Sequence, residues 1–356
     1  MSWNDRMRAR YECDRIAGQP VDILAVETSC DETAAAVVRD GRVILSSVVA
    51  SQISLHGRFG GVVPEIASRA HVEHVSEVVD AALRQAGRAT HSLQAVAVTF
   101  APGLIGALFV GVTAAKTMAQ FGNLPLIGVH HLAGHMFAAM IGTDVQPPFL
   151  ALVVSGGHTE LLGVHSGFAM ERLGATRDDA AGEAFDKIAR ALELGYPGGP
   201  AIERIARDGD PFALPFPRAK LEEGALDFSF SGLKSAVLLH LDRRRRAGGT
   251  WNAADVAASF QRAVIDALVE KVETALERTD MRTLVLAGGV AANRSLRARL
   301  ESVCAAHGAR FVAPPAWLCT DNAAMIGAAA HWRYVQGRLD DLSLTAQAVM
   351  PLQAWR

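Results

Sequence analysis

Short continuous apolar runs alternate with longer segments of helical periodicity along most of the chain. Residues 22–27 (DILAVE), 95–100 (AVAVTF) and 149–154 (FLALVV) are apolar runs of strand length. Residues 65–85 and 256–276 instead repeat apolar positions every three to four residues, which predicts amphipathic helices. This alternation of strands and helices indicates an α/β protein whose central strands are mainly parallel.

The two halves of the chain follow the same plan. Residues 22–38 read as an apolar strand, a polar turn containing Ser and Thr, and a second apolar strand, and residues 149–164 repeat that order after Pro147-Pro148. The repeat predicts two related lobes that face each other. The expected organisation is a mobile extension (1–21), an N-terminal lobe (22–146), a C-terminal lobe (147–335) with a helical and Pro-rich insertion at about 178–250, and a tail (336–356).

Composition changes this picture little. The 35 Lys and Arg residues against 37 Asp and Glu residues leave a net charge of −2, so no global basic field indicates a nucleic-acid partner, although a local patch can still serve. The four cysteines form no CxxC pair, which fits a reducing compartment. The sequence contains no signal peptide and no apolar run of membrane-spanning length. We therefore expect a cytoplasmic protein without membrane association.

Two histidines in LIGVHHLAGH (126–135) are the first candidates for chemistry. If a helix begins near His131, then His131 and His135 lie one turn apart on one face and can share a metal ion. Asp321, at a later helix start, would complete a two-His, one-carboxylate set of the kind used by iron and related divalent metals. The alternatives are two polar side chains on a helix face or a core histidine bonded to the backbone, and an ordinary N-cap aspartate.

Several turns lie at the carboxyl ends of buried strands, where open α/β sheets bind ligands. The Gly-Gly turns at 155–159 and 287–293 offer backbone N–H groups to a phosphate or carboxylate, or are simply tight turns that need glycine. Asn293 either caps a helix or bonds a ribose or a base. Asp31 and Glu32, in the first such turn, are either solvated turn residues or acidic groups that act on a substrate.

Two charged features have both a structural and a functional interpretation. Asp178, Asp179, Glu183 and Asp186 crowd one helix; the first two favour a helix N-terminus, whereas Asp186 lies almost two turns further in. The run Arg243–Arg246 is either a solvated helix end or a set of phosphate contacts.

Ten ordered motifs together closely resemble the TsaD family of bacterial tRNA threonylcarbamoyladenosine transferases, which were formerly described as glycoproteases. They cover nearly the whole chain from Asp22 to His331: VETSCDET (26–33), GGVVPEIASRAHVEH (60–74), APGLIGALFVG (101–111), HHLAGH (130–135), VSGGHT (154–159), DDAAGEAFDK (178–187), YPGGP (196–200), DFSFSGLK (227–234), AGGVAANR (287–294) and CTDNAAMI (319–326). The resemblance implies the ASKHA fold of actin, Hsp70 and sugar kinases, in which two RNase-H-like lobes surround a central cleft.

The resemblance also implies an activity and the residues that support it. The family transfers threonylcarbamoyl from threonylcarbamoyl-AMP to the exocyclic amine of the adenosine 3′ of the anticodon (position 37), in tRNAs that read codons beginning with adenine, and releases AMP. It implies one divalent metal, Fe(II) with Zn(II) as the alternative, on His131, His135 and Asp321. The implied substrate contacts are Val153, Val154, Ser155, Gly156, Gly157, Asp186, Gly199, Asn293 and, less directly, Glu203, where many relatives have Asp.

The chemistry requires no nucleophilic Ser or Cys, because the carbamoyl adenylate is already activated. Asp31 or Glu32 is the hypothetical acceptor of the amine proton. By resemblance the partners are tRNA, a TsaB-like paralogue, a TsaE-like ATPase and a TsaC-like adenylate-forming enzyme. The alternatives are a carbamoyltransferase for a small molecule and a non-enzymatic nucleotide-binding scaffold. A metalloprotease is disfavoured, because Leu132 stands where the HExxH motif has its glutamate.

Some features lie outside the family pattern. These are the 21-residue extension, Ala323 in place of the glycine that usually follows CTDN, and the run Arg243–Arg246. The sequence identifies neither the metal, the general base, the oligomeric state, the partner surface, nor the roles of the extension and the arginine run.

Overall fold

The computed structural model of the protein describes residues 2–219, 221–222 and 224–355. The chain forms two compact units, Met1–Val145 with Thr320–Arg356, and Gln146–Cys319. The second unit therefore begins one residue before the Pro147-Pro148 dipeptide, and the last long helix is grouped with the first unit rather than with the second.

The strands and helices have the following bounds. The strands are β1 Asp22–Glu27, β2 Glu32–Arg39, β3 Val43–Ser51, β4 Ala95–Ala101, β5 Leu126–His130, β6 Phe149–Val154, β7 Thr159–Val164, β8 Met170–Ala175, β9 Thr283–Ala287 and β10 Arg310–Val312. The helices are α1 Trp3–Ala17, α2 Ile53–His56, α3 Pro64–Ala86, α4 Ile105–Gly122, α5 His131–Ala138, α6 Ala181–Ala191, α7 Gly198–Ala206, α8 Ser231–Arg246, α9 Ala253–Arg278, α10 Arg294–Ala306 and α11 Ala323–Val335.

The first unit is built on one mixed sheet of order β3-β2-β1-β4-β5. β1 pairs antiparallel with β2 and β2 with β3, whereas β4 and β5 continue the sheet in parallel. Every residue of β1, β4 and β5 is buried, as expected for central strands whose two faces are both covered. Since the carboxyl ends of parallel strands share one edge, the turn after β1 and the segment after β5 emerge on the same side.

The second unit repeats this topology. Its sheet has the order β10-β9-β6-β7-β8, in which β6, β7 and β8 are antiparallel neighbours and β9 and β10 extend the sheet in parallel. Read from β8, this is the strand order of the first sheet. The α/β class and the internal repeat predicted from the two strand-turn-strand segments are therefore confirmed. Each unit has the RNase-H-like order expected of the ASKHA fold.

The N-terminal extension, expected to be mobile, contains the 15-residue helix α1. Ser2 and Asp5 form a capping box at its start. Met7 and Tyr11 are buried, and the Tyr11 ring lies edge-on to Tyr334 of α11 with the ring centroids 5.1 Å apart. The face of α1 that carries Met7 and Tyr11 is therefore packed on the first unit. The family pattern had not indicated this packing.

The chain after α11 lies along the first sheet. Asp340 accepts a hydrogen bond from the Gly128 N–H at 2.6 Å and pairs with Arg333 at 2.6 Å. Trp355 donates its indole N–H to the Gly128 carbonyl at 3.2 Å. Within the described part of the chain, no helix is both long enough and apolar enough to cross a membrane.

Candidate metal centre and substrate loops

Close packing of α5 against α11 brings the histidine motif to Asp321. A Cβ atom on Gly134 of α5 would lie 2.6 Å from Cδ1 of Ile326 on α11, so a larger residue there would require the Ile326 side chain to move. His131 is the first residue of α5, and His135 follows one turn later. Asp321 lies two residues before α11. The sequence spacing of four residues thus becomes a shared face opposite a carboxylate.

Asp321 is not the cap of α11. That role belongs to Asn322, whose side-chain oxygen accepts a hydrogen bond from the Met325 N–H at 3.0 Å. The Asp321 carboxylate is consequently available to the two imidazoles. This geometry rules out the N-cap interpretation of Asp321 that the sequence left open.

The three predicted ligands converge. Asp321 Oδ1 lies 3.5 Å from His131 Nε2 and 3.2 Å from His135 Nε2. One ligand atom from each of the three residues lies within 4.8 Å of the others, and the two rings meet edge-on with centroids 4.6 Å apart. Two imidazole nitrogens and one carboxylate oxygen at these separations form a donor set suited to a divalent transition metal.

His135 supplies an independent test of whether the residues fit a metal. The side chain is almost fully buried, and neither ring nitrogen has a hydrogen-bond partner among the described residues, although Nε2 lies close to Asp321. An orphaned imidazole inside a protein costs free energy unless something binds it. A metal ion on Nε2 would satisfy the nitrogen that points toward Asp321.

Glu27, which the sequence analysis did not single out, orients His131. This carboxylate is fully buried at the end of β1 and accepts hydrogen bonds from the Ser29 N–H and the Thr99 hydroxyl, each at 2.5 Å. Its Oε2 also lies 3.2 Å from His131 Nδ1. The Ser29 hydroxyl lies 3.0 Å from the same nitrogen. Because an ionised carboxylate can only accept, the Nδ1 hydrogen is directed to Glu27, while Nε2 faces Asp321. A carboxylate–histidine pair of this kind commonly supports a metal ligand.

The buried charges shift one another's pKa values. Burial disfavours the charged imidazolium of His131, but the carboxylates of Asp321 and Glu27 outweigh burial and raise its pKa to about 9. Burial likewise opposes ionisation of Asp321, yet His131 and His135 lower its pKa to about 2. Burial opposes ionisation of Glu27 too, and His131 again holds the carboxyl pKa below its ordinary value. The centre therefore keeps both carboxylates ionised and attracts positive charge.

His130 belongs to a different environment from its neighbour. Its Nδ1 accepts a hydrogen bond from the Leu132 N–H at 3.2 Å, and its Nε2 lies 3.0 Å from the Met350 carbonyl oxygen. Both nitrogens are engaged by backbone groups, so His130 is the N-cap of α5 and not a third imidazole of the centre.

The turn after β1 places two more acidic groups near the centre. Burial raises the pKa of Asp31, and the Asp321 charge raises it further. Burial also raises the pKa of Glu32 to about 7, with only the Ser51 hydroxyl, 2.8 Å away, favouring the ionised form. Buried His71 anchors this turn: its two ring nitrogens lie 2.7 Å from the Thr33 hydroxyl and 2.9 Å from the Cys30 carbonyl oxygen.

The predicted substrate loop of the second unit follows β6 directly. The side chains of Val153 and Val154 are fully buried, so only their backbone is available to a ligand. Ser155 closes the turn by donating its N–H to the His158 carbonyl at 2.8 Å. Gly156 and Gly157 are exposed, and a Cβ on either would meet no atom within 4 Å. The loop thus presents bare backbone to its surroundings.

Helix α6 begins against this loop. The Gly182 N–H donates to the Ser155 carbonyl at 3.2 Å, and a Cβ on Gly182 would lie 2.5 Å from that oxygen. Later in α6, Asp186 accepts a hydrogen bond from the Gly198 N–H at 2.7 Å, at the start of α7. Gly199, the next residue, has open space where a Cβ would stand. Asp186 therefore positions the N-terminus of α7, and Gly199 is the second residue of that helix.

The last two predicted contacts, Asn293 and Glu203, both accept hydrogen bonds from the first turn of α10. Asn293 is the N-cap of that helix, whereas Glu203 reaches it from α7. Asn293 accepts from the Leu296 N–H at 2.9 Å and donates to the Gln261 side-chain oxygen at 2.8 Å. Glu203 accepts from the Arg294 N–H at 3.0 Å. The helix-cap interpretation of Asn293 is thus realised, and its role as a substrate contact stays a prediction, as it does for Glu203.

Comparison with known proteins identifies the family. The family model for TsaD, tRNA N6-adenosine threonylcarbamoyltransferase, matches residues 43–328. A relative of that name from Geobacillus kaustophilus is 56% identical over 337 residues, which cover 94% of this chain and 98% of the relative. Another from Moorella thermoacetica is 55% identical and covers 93% of this chain and 97% of the relative.

Solved structures agree on the fold. A HypF protein from T. kodakarensis superposes with a TM-score of 0.62 at 16% identity, covering 91% of this chain and 50% of that chain. Component A of a 2-hydroxyglutaryl-CoA dehydratase from Acidaminococcus fermentans superposes with a TM-score of 0.52 at 14% identity, covering 88% and 99% respectively. At such identities the likeness concerns the fold alone. On the evidence of the family model and of these near-full-length relatives, the chain belongs to the TsaD family of tRNA N6-adenosine threonylcarbamoyltransferases.

Proposed function

We propose that this chain transfers the threonylcarbamoyl group of threonylcarbamoyl-AMP to the exocyclic amine of the adenosine 3′ of the anticodon, position 37, in tRNAs that read codons beginning with adenine. Relatives that carry the transferase name at more than 50% identity support the reaction class. The observation that carries the proposal beyond the name is the convergence of His131, His135 and Asp321 within 4.8 Å. A non-enzymatic scaffold would not need a buried, orphaned histidine beside the half-buried Asp321 carboxylate.

His131, His135 and Asp321 would hold one divalent metal. The two-imidazole, one-carboxylate donor set favours Fe(II), with Zn(II) as the alternative. When bound, such an ion supplies Lewis-acid polarisation and orientation of an oxygen-bearing substrate. Glu27 would keep His131 in the tautomer that leaves Nε2 available, and the negative charge of Asp321 would favour cation binding.

The loop Ser155–Gly157 is suited to bind the phosphate of the adenylate. Among the described residues, the N–H groups of Gly156 and Gly157 have no hydrogen-bond partner in the fold, and both glycines are exposed. Backbone N–H groups beside a helix N-terminus, here that of α6, are a common anion-binding arrangement. The further proposed contacts are Asp186, Gly199, Asn293 and Glu203. Asp186 and Glu203 also hold the starts of α7 and α10.

The transfer needs one bond to form and one to break. The amine nitrogen of the adenosine attacks the carbamoyl carbon, the bond from that carbon to the phosphate oxygen breaks, and AMP leaves with the electron pair. The amine must also lose a proton, and Glu32 is the better of the two proposed acceptors. Its pKa near 7 matches the requirement for a general base at neutral pH, and its Oε2 is buried with no hydrogen-bond partner among the described residues. Asp31, whose pKa is also raised, is the second candidate.

The proposed macromolecular partners follow from membership of the family. They are tRNA, a TsaB-like paralogue, a TsaE-like ATPase and a TsaC-like enzyme that makes the adenylate. The adenylate is a reactive mixed anhydride, so an enzyme that forms it must operate alongside this chain.

Mass spectrometry of tRNA nucleosides after reconstitution with these partners tests the function. We expect threonylcarbamoyladenosine to accumulate with the unaltered chain and not with His131→Ala. The exposed His91→Ala variant is the matched control and should retain activity. AMP release that is independent of tRNA would instead indicate a small-molecule acceptor, and absence of both AMP release and metal binding would indicate a scaffold.

A further inference from the structure

The last turn of α8 is a projecting cluster of positive charge. It consists of four consecutive arginines, Arg243–Arg246, and residues 243–250 are all exposed. Leu241 is the last buried residue of this helix. Because consecutive residues of a helix point about 100° apart, at 3.6 residues per turn, the four guanidinium groups surround the helix end instead of lying on one face.

This cluster is only weakly neutralised by its surroundings. Asp242 pairs with Arg246 at 2.9 Å. In the described part of the chain, Arg243, Arg244 and Arg245 make no ion pair. A helix C-terminus favours cations, but the stabilisation is modest, and one or two cations in the last turn already provide it. Four adjacent guanidinium groups also repel one another, on a molecule whose net charge is −2. Stabilisation of the helix end does not account for the whole cluster.

An aromatic ring lies beside the arginines. The guanidinium carbon of Arg245 lies 5.8 Å from the centroid of the Trp251 ring, within the range of a cation–π contact. Trp251 is half-buried and follows the short Gly-Gly loop after the helix. RNA-binding surfaces combine arginine guanidinium groups with aromatic rings, because bases stack on both. The ring therefore adds a second observation to the charge.

Helix α8 connects this cluster to the proposed substrate loop. At the opposite end of α8, Asp178 accepts hydrogen bonds from the Phe230 N–H at 2.8 Å and the Ser231 N–H at 3.1 Å. Asp178 in turn lies three residues before α6, which begins on the Ser155–Gly157 loop. With 16 residues, α8 is about 24 Å long. The arginines therefore lie about one helix length from the end of α8 that Asp178 contacts.

From the charge, the exposure and the aromatic neighbour of this helix end we infer that Arg243–Arg246 bind the phosphate backbone of the tRNA substrate, with Arg245 beside the Trp251 ring. The cluster acts as a docking surface for the RNA and contributes no contact to the reacting atoms. The inference rests on the proposed function, because it takes the polyanion to be tRNA. Phosphates recur about every 3.4 Å along one strand of a duplex, so one helical turn of arginines can engage two or three of them.

Binding of tRNA to the full-length chain across a salt series tests the inference. The test variant carries Arg243→Gln, Arg244→Gln and Arg246→Gln. A control with the same change in charge carries Arg8→Gln, Arg15→Gln and Arg84→Gln, three exposed arginines of α1 and α3. A third variant replaces the same three cluster arginines by Lys, which retains the charge. Circular dichroism checks that all three variants are folded.

We expect the Gln variant of the cluster to bind tRNA about tenfold or more weakly between roughly 50 and 200 mM salt. The slope of log affinity against log salt should become shallower by about 1.4–2.7 units, for two or three phosphates at about 0.7–0.9 each. The control and the Lys variant should keep the slope of the unaltered chain.

An unchanged affinity and slope in the Gln variant would overturn the inference. So would a Gln variant that loses binding to anionic phospholipid vesicles but not to tRNA, because the cluster would then be a membrane contact. The failure of the proposed function is separate. If the unaltered chain binds tRNA with the arginine-dependent slope but never forms the modified nucleoside, the docking surface stands and the transferase proposal falls.

Discussion

Replacing Glu27 by glutamine is expected to weaken metal binding without changing any metal ligand. The carboxylate is fully buried, and its two oxygens accept from three donors: the Ser29 N–H, the Thr99 hydroxyl and the His131 ring. A glutamine has one oxygen to offer. If that oxygen faces Thr99 and His131, the amide NH2 meets the Ser29 N–H, which was 2.5 Å from its acceptor. Either orientation of the amide leaves donors facing donors.

The expected magnitude follows from this geometry. Loss of the partner that orients a metal-bound histidine typically costs about 10–100-fold in metal affinity, which corresponds to about 1.4–2.7 kcal/mol. At a metal concentration of about 100 times the dissociation constant, binding stabilises the unaltered fold by about 2.7 kcal/mol. In the variant the same concentration should stabilise the fold by only about 0.4–1.4 kcal/mol. The misplaced amide adds about 1–3 kcal/mol of destabilisation that is independent of metal.

Competition with a chelator measures the affinity directly, and thermal unfolding with and without Zn(II) separates the two effects. Glu73→Gln, an exposed position on α3, is the control with the same chemical change and should behave as the unaltered chain. An affinity of Glu27→Gln within about twofold of the unaltered chain, in a folded protein, would refute the idea that Glu27 orients His131.

Two further predictions concern the proposed base and the substrate loop. Glu32→Gln should abolish the rise in transfer rate that the unaltered chain shows as pH increases through about 7. Because folding raises the pKa of Glu32, its ionisation destabilises the fold; this cost is absent below about pH 4.5 and complete above about pH 7. In urea titrations the variant should therefore be more stable by about 1–2 kcal/mol at pH 8, after discounting for the partial exposure of Glu32, and equally stable at pH 4.5. A rate profile that keeps its rise near pH 7 in the variant would remove Glu32 as the base. Gly182→Ala places a methyl group 2.5 Å from the Ser155 carbonyl oxygen and should raise the KM for the adenylate more than it lowers kcat in steady-state assays. Gly232→Ala, where a Cβ has open space, is the control and should change neither constant. Equal kinetics for the two variants would argue against a role for the contact between α6 and the loop.

The elements that sequence analysis recovered share a strong local signal. β1, β4 and β6 are continuous apolar runs because both faces of each strand are buried, and that burial leaves a readable pattern. β8 escaped prediction because it is an edge strand with exposed Glu171 and Arg172, and an edge needs only one partner. Helix α1 escaped because its mean polarity is high and its two anchoring residues, Met7 and Tyr11, pack on chain segments far away in sequence.

Capping residues illustrate a further limit. The dipeptide Asp321-Asn322 contains two good N-cap residues, and the sequence does not say which of them caps α11. In the structure Asn322 takes that position, with its side-chain oxygen on the Met325 N–H. Asp321 thereby stands one residue outside the cap, where its carboxylate reaches both imidazoles. A shift of one residue in the helix start would have exchanged the structural and the chemical roles.

The three histidines of the HHLAGH motif show why identical side chains in one motif acquire different functions. Their fates are set by groups that lie between about one hundred and more than two hundred residues away along the chain: His130 meets the Met350 carbonyl, His131 meets Glu27, and His135 faces Asp321. His130 has backbone partners for both nitrogens and is thereby committed to the fold. Within the described part of the chain, His131 is hydrogen-bonded on Nδ1 only and His135 on neither nitrogen, so the capacity to bind a metal resides in the hydrogen bonds that the fold leaves unmade. Spacing within the motif predicts which imidazoles share a face, but the unsatisfied nitrogens emerge only when β1, β5 and α11 are packed together.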